Sequence, residues 1–216
     1  MLSNVLFDLD GTLTDPTRGI IRCMQYALDL LSRPCPNELE LISFIGVSVR
    51  PTFEKLLNSD EKSLIEEAIS LFRERYSEVG LFENKVHPGI TELLATLYEN
   101  SYKLYVVTVK PQVYAERIVK HFSLDQWFNG VLGPELDDYH TNKTDLIAST
   151  LTNFKLVPEE TVMIGDRKED IIAGKSNRVV TIGVIYGYGS EEEIVNSAPD
   201  YICNSPRGIR QVIMRR

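Results

Sequence analysis

The sequence has no surplus of basic residues: 23 Lys and Arg stand against 31 Asp and Glu in 216 residues, a formal net charge of -8. A nucleic-acid or anionic-membrane surface needs clustered positive charge, so neither is expected as a partner, and any phosphate the chain handles should be small and locally bound. Cysteine is scarce as well. Cys23, Cys35 and Cys203 are odd in number and lack CxxC spacing, which leaves no disulfide framework and no zinc site and points to reduced packing thiols. Long uncharged apolar runs are missing, and the N-terminus enters a strand-like run with no basic and apolar leader pattern, so the expected location is cytoplasmic. His87, His121 and His140 show no metal-ligand spacing and are expected to be structural or exposed. There is no internal repeat, and nothing in the pattern sets an oligomeric state.

What is present is an ordinary globular composition, 43% hydrophobic and 25% charged, enough for one sizeable core with a smaller domain attached. Short apolar runs at Val5 to Leu9, Leu104 to Thr108, Thr161 to Gly165 and Val179 to Ile185 read as strands buried on both faces. Between them Ile90 to Tyr98, Pro111 to Phe122, Lys143 to Phe154 and Lys168 to Ser176 are long enough for helices. This alternation predicts an α/β fold, an open parallel Rossmann-like sheet with helices on both faces. Residues 16–82 differ: strand signals vanish, and Ile20, Met24, Ala27, Leu28 and Leu31, then Leu64, Ile65, Ala68, Ile69 and Phe72, recur at helical spacing. The expected organisation is a core of residues 1–15 and 83–216 interrupted by an all-helical domain of residues 16–82. Asp15-Pro16 and Pro88-Gly89 punctuate its borders.

In open α/β sheets ligands bind beyond the C-terminal ends of the strands. The first run delivers Asp8 and Asp10 there, the second ends at Thr108 with Lys110 just beyond, and the third ends at Gly165-Asp166 with Asp170 four residues on. Crowded carboxylates repel one another unless a cation neutralises them, and Mg²⁺ suits the role because it takes oxygen ligands and uses only one or two carboxylates beside substrate phosphate oxygens. Period-2 geometry places Asp8 and Asp10 on one side of an extended segment, and Gly11 permits a sharp exit. A calcium EF-hand loop does not fit, since its first and last ligand positions fall on Leu6 and Thr17. Gly183, Gly187 and Gly189 lack dinucleotide-loop spacing and read as a turn, and Ser190 with Glu193 forms a capping box at a helix start.

The ordered segments DLDGTL (Asp8 to Leu13), Thr108, NKTDLI with Lys143, and GDRKED (Gly165 to Asp170) resemble the signatures of the haloacid dehalogenase superfamily of aspartate-nucleophile phosphotransferases. The likeness spans the whole core, and the helical insert looks like that family's C1 cap in its phosphoglycolate phosphatase-like branch. The resemblance implies a Mg²⁺-dependent phosphomonoesterase acting on a small phosphorylated metabolite. By it Asp8 is the nucleophile that becomes an aspartyl phosphate, and Asp10 is the acid and base of the two half-reactions. Mg²⁺ would be held by Asp8, the backbone carbonyl of Asp10 and Asp166, with Asp170 in support. Thr108 and Lys143 would grip the phosphoryl oxygens, with Lys110 as the alternative lysine. In the cap, Arg50 of GVSVR is a candidate substrate contact. A 5'-nucleotidase is the runner-up activity, and a phosphomutase or a non-catalytic binding module are further alternatives.

Overall fold

A computed structural model describes residues 1–138 and 141–215; His140 lies outside the described residues. The first strand, β1 (Asn4–Phe7), is buried along its whole length. The chain then turns and forms β2 (Thr14–Asp15), followed by helices α1 (Thr17–Leu30), α2 (Glu38–Ile42), α3 (Val49–Leu57) and α4 (Lys62–Arg75), the last running into a π-helical turn, Tyr76–Gly80. β3 (Lys85–Val86) pairs with β2 in a two-stranded ribbon. From there helix and strand alternate: α5 (Ile90–Glu99), β4 (Lys103–Val107), α6 (Gln112–His121), β5 (Gly130–Leu132), α7 (Lys143–Asn153), β6 (Thr161–Gly165), α8 (Lys168–Ser176), β7 (Val180–Val184), α9 (Glu191–Ser197), β8 (Tyr201–Cys203) and α10 (Pro206–Ile213).

Two compact units result, one of Met1–Asp15 with Val86–Arg216 and one of Pro16–Lys85. In the helical unit α1 packs on α4. Ile20, Met24, Ala27 and Leu28 are buried on the first and Ile65, Ala68, Ile69 and Phe72 on the second, the three-and-four spacing that lines one helix face. Phe72 stacks on Tyr76 at 5.2 Å and meets Phe53 edge-on at 6.0 Å. Glu83 accepts from Arg22 at 2.5 Å and Arg75 at 2.7 Å, and Arg75 also donates to Cys23 Sγ at 3.2 Å. Burial pushes the Cys23 thiol up to about 11, so it stays protonated at neutral pH. Cys203 is buried too, but Cys35 is exposed, so the packing role expected of all three thiols does not extend to it.

The other unit is a six-stranded parallel sheet, order β5-β4-β1-β6-β7-β8, with helices on both faces. Phe7 lies opposite Val106 on one side and Ile164 on the other, so β1, β4 and β6 end nearly level. After β1 the chain builds outward through β4 and β5, then returns to β6 on the opposite side. That reversal opens a crevice at the C-terminal end of β1. Beneath it Leu6, Val107, Ile147, Met163 and Ala173 belong to one buried cluster. Burying each larger side chain contributes roughly 1.5–3 kcal/mol, which makes the strand ends a rigid platform. The edge strands β5 and β8 have no counterpart among the expected strands, because each is three residues long and neither carries a continuous buried run.

Candidate active site

The platform delivers a dense group of ionisable residues. Asp8 is the first residue past β1 and its N–H donates to Ile164 O at 2.9 Å, so the strand ladder itself aims it. Asp166 follows β6 and Asp170 sits in the first turn of α8. Carboxylate oxygens of Asp8, Asp166 and Asp170 lie within 4.8 Å of one another, and all three residues are buried. Lys143, at the start of α7 and 6% exposed, enters this group. Its Nζ donates to Asp8 Oδ1 at 2.5 Å and to Val107 O at 2.9 Å, while Asp170 Oδ1 stands 2.8 Å away at ion-pair distance but outside hydrogen-bond geometry. Burial alone would lower the Lys143 pKa, but Asp170 and Asp8 outweigh it and hold the ammonium form firmly.

Asp166 is held from two loops. Thr12 Oγ1 donates to its Oδ1 at 3.1 Å and the Tyr188 N–H donates to its Oδ2 at 2.8 Å. Gly11, at φ +85°, presses against the same carboxylate: a Cβ there would sit 2.2 Å from Asp166 Oδ2. Burial first, and then the neighbouring charges of Asp8 and Asp170, push the Asp166 carboxyl up to about 7. Asp170 is pushed up to about 6, again mainly by burial, with Lys143 opposing. It also accepts from the Arg167 N–H at 3.2 Å, which caps the first turn of α8 while the side chain faces Lys143.

Asp10 faces a different partner. Its Oδ2 pairs with Lys110 Nζ, and both side chains are close to fully buried. Its Oδ1 is buried with no hydrogen-bond partner among the described residues. Burial raises the Asp10 pKa, and Lys110 pulls it back. Thr108 is buried at the end of β4, and its Oγ1 accepts from the Lys110 N–H at 3.2 Å, a turn that directs Lys110 toward Asp10. Lys110 therefore does not share the place of Lys143. The two lysines serve different aspartates. This pairing across 100 positions has no signal in the sequence beyond the nearness of Lys110 to Thr108.

Arg50 lies at the start of α3 in the helical unit and pairs with Glu66 on α4. Of the described histidines, His87 packs on the Tyr186 ring at 5.2 Å and His121 on the Phe122 ring at 4.8 Å. The Ser190 hydroxyl caps α9 by accepting from the Glu193 N–H at 3.0 Å, while the Glu193 carboxylate turns to Arg167 Nε at 2.9 Å and the Lys168 N–H at 3.0 Å. Glu193 thereby ties the start of α8 to α9.

Three buried acids beyond the ends of adjacent parallel strands, with one lysine between two of them, offer oxygen donors that could hold a divalent cation. Residues 5–184 match the model of the haloacid dehalogenase-like hydrolases, and the chain belongs to that family. It is 42% identical to a 5'-nucleotidase of Pseudomonas aeruginosa over 97% of this chain and 95% of that protein. It is also 27% identical to a phosphoglycolate phosphatase of Vibrio cholerae over 97% of this chain and 96% of that one. The crystal structure of a predicted phosphatase from Clostridium acetobutylicum superposes with a TM-score of 0.92 at 35% identity, covering all of both chains. Fold and relatives together make the chain a phosphatase of this family.

Proposed function

We propose that the protein hydrolyses the phosphomonoester of a small soluble metabolite through an aspartyl phosphate on Asp8. The observation that carries this reading is the pairing of a lysine-held carboxylate, Asp8 with Lys143, with a second buried acid, Asp10, that keeps one oxygen without a partner. Asp8 attacks phosphorus, forming its O–P bond as the bond to the substrate alcohol breaks. Asp10 gives its proton to the departing oxygen, then takes one from the water that attacks the phosphoaspartate. That second attack breaks the bond to Asp8 and releases inorganic phosphate. Lys143 and Thr108 hold the equatorial oxygens of the transferring group.

The three-carboxylate cluster fits a divalent cation: hard oxygen donors, buried, with the Asp166 carboxyl pushed up first by burial and then by its neighbours' charge. Asp8, Asp166 and the backbone carbonyl of Asp10 would hold Mg²⁺, with Asp170 in support; when bound it supplies positive charge to the transferring phosphoryl group. The helical unit is inserted in the chain between β2 and β3, the position of a cap in this family, and Arg50 is its candidate substrate contact.

A nucleoside 5'-monophosphate is the first substrate candidate, supported by the 42% identity to a 5'-nucleotidase over nearly the whole chain, and phosphoglycolate is the second, supported by the 27% relative. The test is phosphate release from p-nitrophenyl phosphate with Mg²⁺, then from nucleotides, phosphoglycolate and sugar phosphates. Turnover lost in Asp8→Asn is expected. Purified protein with no phosphate release from any of these would defeat the proposal, and an absolute requirement for a bisphosphate would replace it with a phosphomutase.

A further inference from the structure

The segment Gly187 to Gly189 follows β7, the strand next to β6, and its sequence alone suggests only a turn. In the structure it closes on Asp166. A Cβ at Gly187 would lie 2.4 Å from Asp166 Cβ and Oδ2, and one at Gly189 would lie 2.0 Å from the Asp166 carbonyl oxygen. Only residues without a side chain permit that approach. Between them the Tyr188 N–H donates to Asp166 Oδ2 at 2.8 Å. The loop is itself anchored: the Tyr188 hydroxyl donates to Asp15 Oδ1 at 2.6 Å and the Tyr186 hydroxyl to Thr12 O at 3.0 Å. Both anchors lie on the segment that leaves the nucleophile strand, and Thr12 also donates its own hydroxyl to Asp166.

We infer that Gly187, Tyr188 and Gly189 are positioning residues for the divalent cation, fixing which oxygen of Asp166 faces the site. The inference rests on the reading of Asp166 as a metal ligand. A carboxylate gripped on one oxygen by a backbone N–H and on the other by a hydroxyl cannot rotate, and partners of this kind typically change metal affinity by about 10–100-fold when lost. Because Tyr188 is tied to Asp15 and Tyr186 to Thr12, the geometry of the chain between β1 and β2 sets the ligand as well. The tyrosine hydroxyls contribute through the loop and not by touching the cation.

The experiment is calorimetric titration of metal-free protein with Mg²⁺, alongside thermal unfolding in chelator, for wild type, Gly187→Ala, Tyr188→Phe and Asp166→Asn. Gly187→Ala should weaken Mg²⁺ binding by about 10–100-fold and Tyr188→Phe by about tenfold, with kcat recovering at saturating Mg²⁺. The melting temperature of Tyr188→Phe in chelator should stay near that of wild type, which separates positioning from general loosening. If Gly187→Ala does not fold, Tyr188→Phe decides alone. Wild-type Mg²⁺ affinity in the loop variants, with Asp166→Asn impaired, overturns the inference. Wild-type affinity in Asp166→Asn overturns instead the metal-site reading on which it stands.

Discussion

Replacing Lys143 by Met removes the ammonium group that touches Asp8 at 2.5 Å and Asp170 at 2.8 Å while keeping an unbranched apolar stem in place. Both acids are buried, and Asp166 lies in the same cluster, so their charge is left without a lysine and out of reach of bulk water. Breaking a buried pair in this way costs about 3–5 kcal/mol. In a chain of this length each kcal/mol moves the melting temperature by about 2–4 °C, which predicts a fall of roughly 6–20 °C in chelator at pH 7.5. The effect must depend on pH in a definite direction. Asp170 already has a folded-state pKa of about 6, above the ordinary 3.8, so its stabilising contribution is present below 3.8 and lost as pH rises through 6. Lys143 is the group that opposes this rise, and its removal lifts the folded value further. The loss at pH 7.5 should therefore exceed the loss at pH 5, where Asp170 would carry a proton. Thermal unfolding by circular dichroism at the two pH values tests this. A melting temperature within a degree of wild type at pH 7.5, or a larger loss at pH 5, refutes the argument.

Mg²⁺ should stabilise the protein more at pH 8 than at pH 5: the Asp166 rise from 3.8 to about 7 means metal-free stability falls through that window by roughly 4 kcal/mol. Equal melting shifts with Mg²⁺ at both pH values would count against Asp166 as a ligand. Asp8→Asn should abolish turnover and phosphate incorporation, whereas Asp10→Asn should slow both formation and breakdown of the phosphoenzyme in rapid-quench assays; a labelled Asp8→Asn protein would exclude Asp8 as nucleophile. Lys110→Met removes the cation that pulls the Asp10 pKa down, so the limb of the kcat/KM profile governed by Asp10 should move to higher pH. An unmoved profile would show that the contact is structural.

The central sheet was legible because β1, β4, β6 and β7 are buried on both faces and appear as continuous apolar runs. The edges were not, since Ile202 in β8 is exposed and β5 is only half-buried, which removes the run that betrays a strand. Helix α10 did carry a local signal, Ser205 as cap before Pro206, but too few apolar positions to stand out. Asp8, Lys143, Asp166 and Asp170, which the structure brings together, and Asp10 beside them all lie in the ordered signatures of the sequence. The contact of Lys110 with Asp10 and the closure of Gly187 to Gly189 on Asp166 were not legible there, because each depends on which strands become neighbours. Gly187 looks like any turn glycine until β7 is known to lie beside β6.

Strand adjacency also explains how one crevice gives two neighbouring acids different partners. Asp8 and Asp10 are two residues apart, yet Asp8 is bound to Lys143 from α7 and Asp10 to Lys110 from the turn after β4. Four buried acids against two lysines leave an excess of negative charge, concentrated on the side of Asp166 and Asp170 and not on that of Asp10. Under the proposed mechanism a divalent cation would offset that excess beside Asp8, while Asp10 is balanced by its own lysine and its Oδ1 has no hydrogen-bond partner among the described residues. In that mechanism the division would let a single short loop present one carboxylate to attack phosphorus and another to give and take a proton within each turnover.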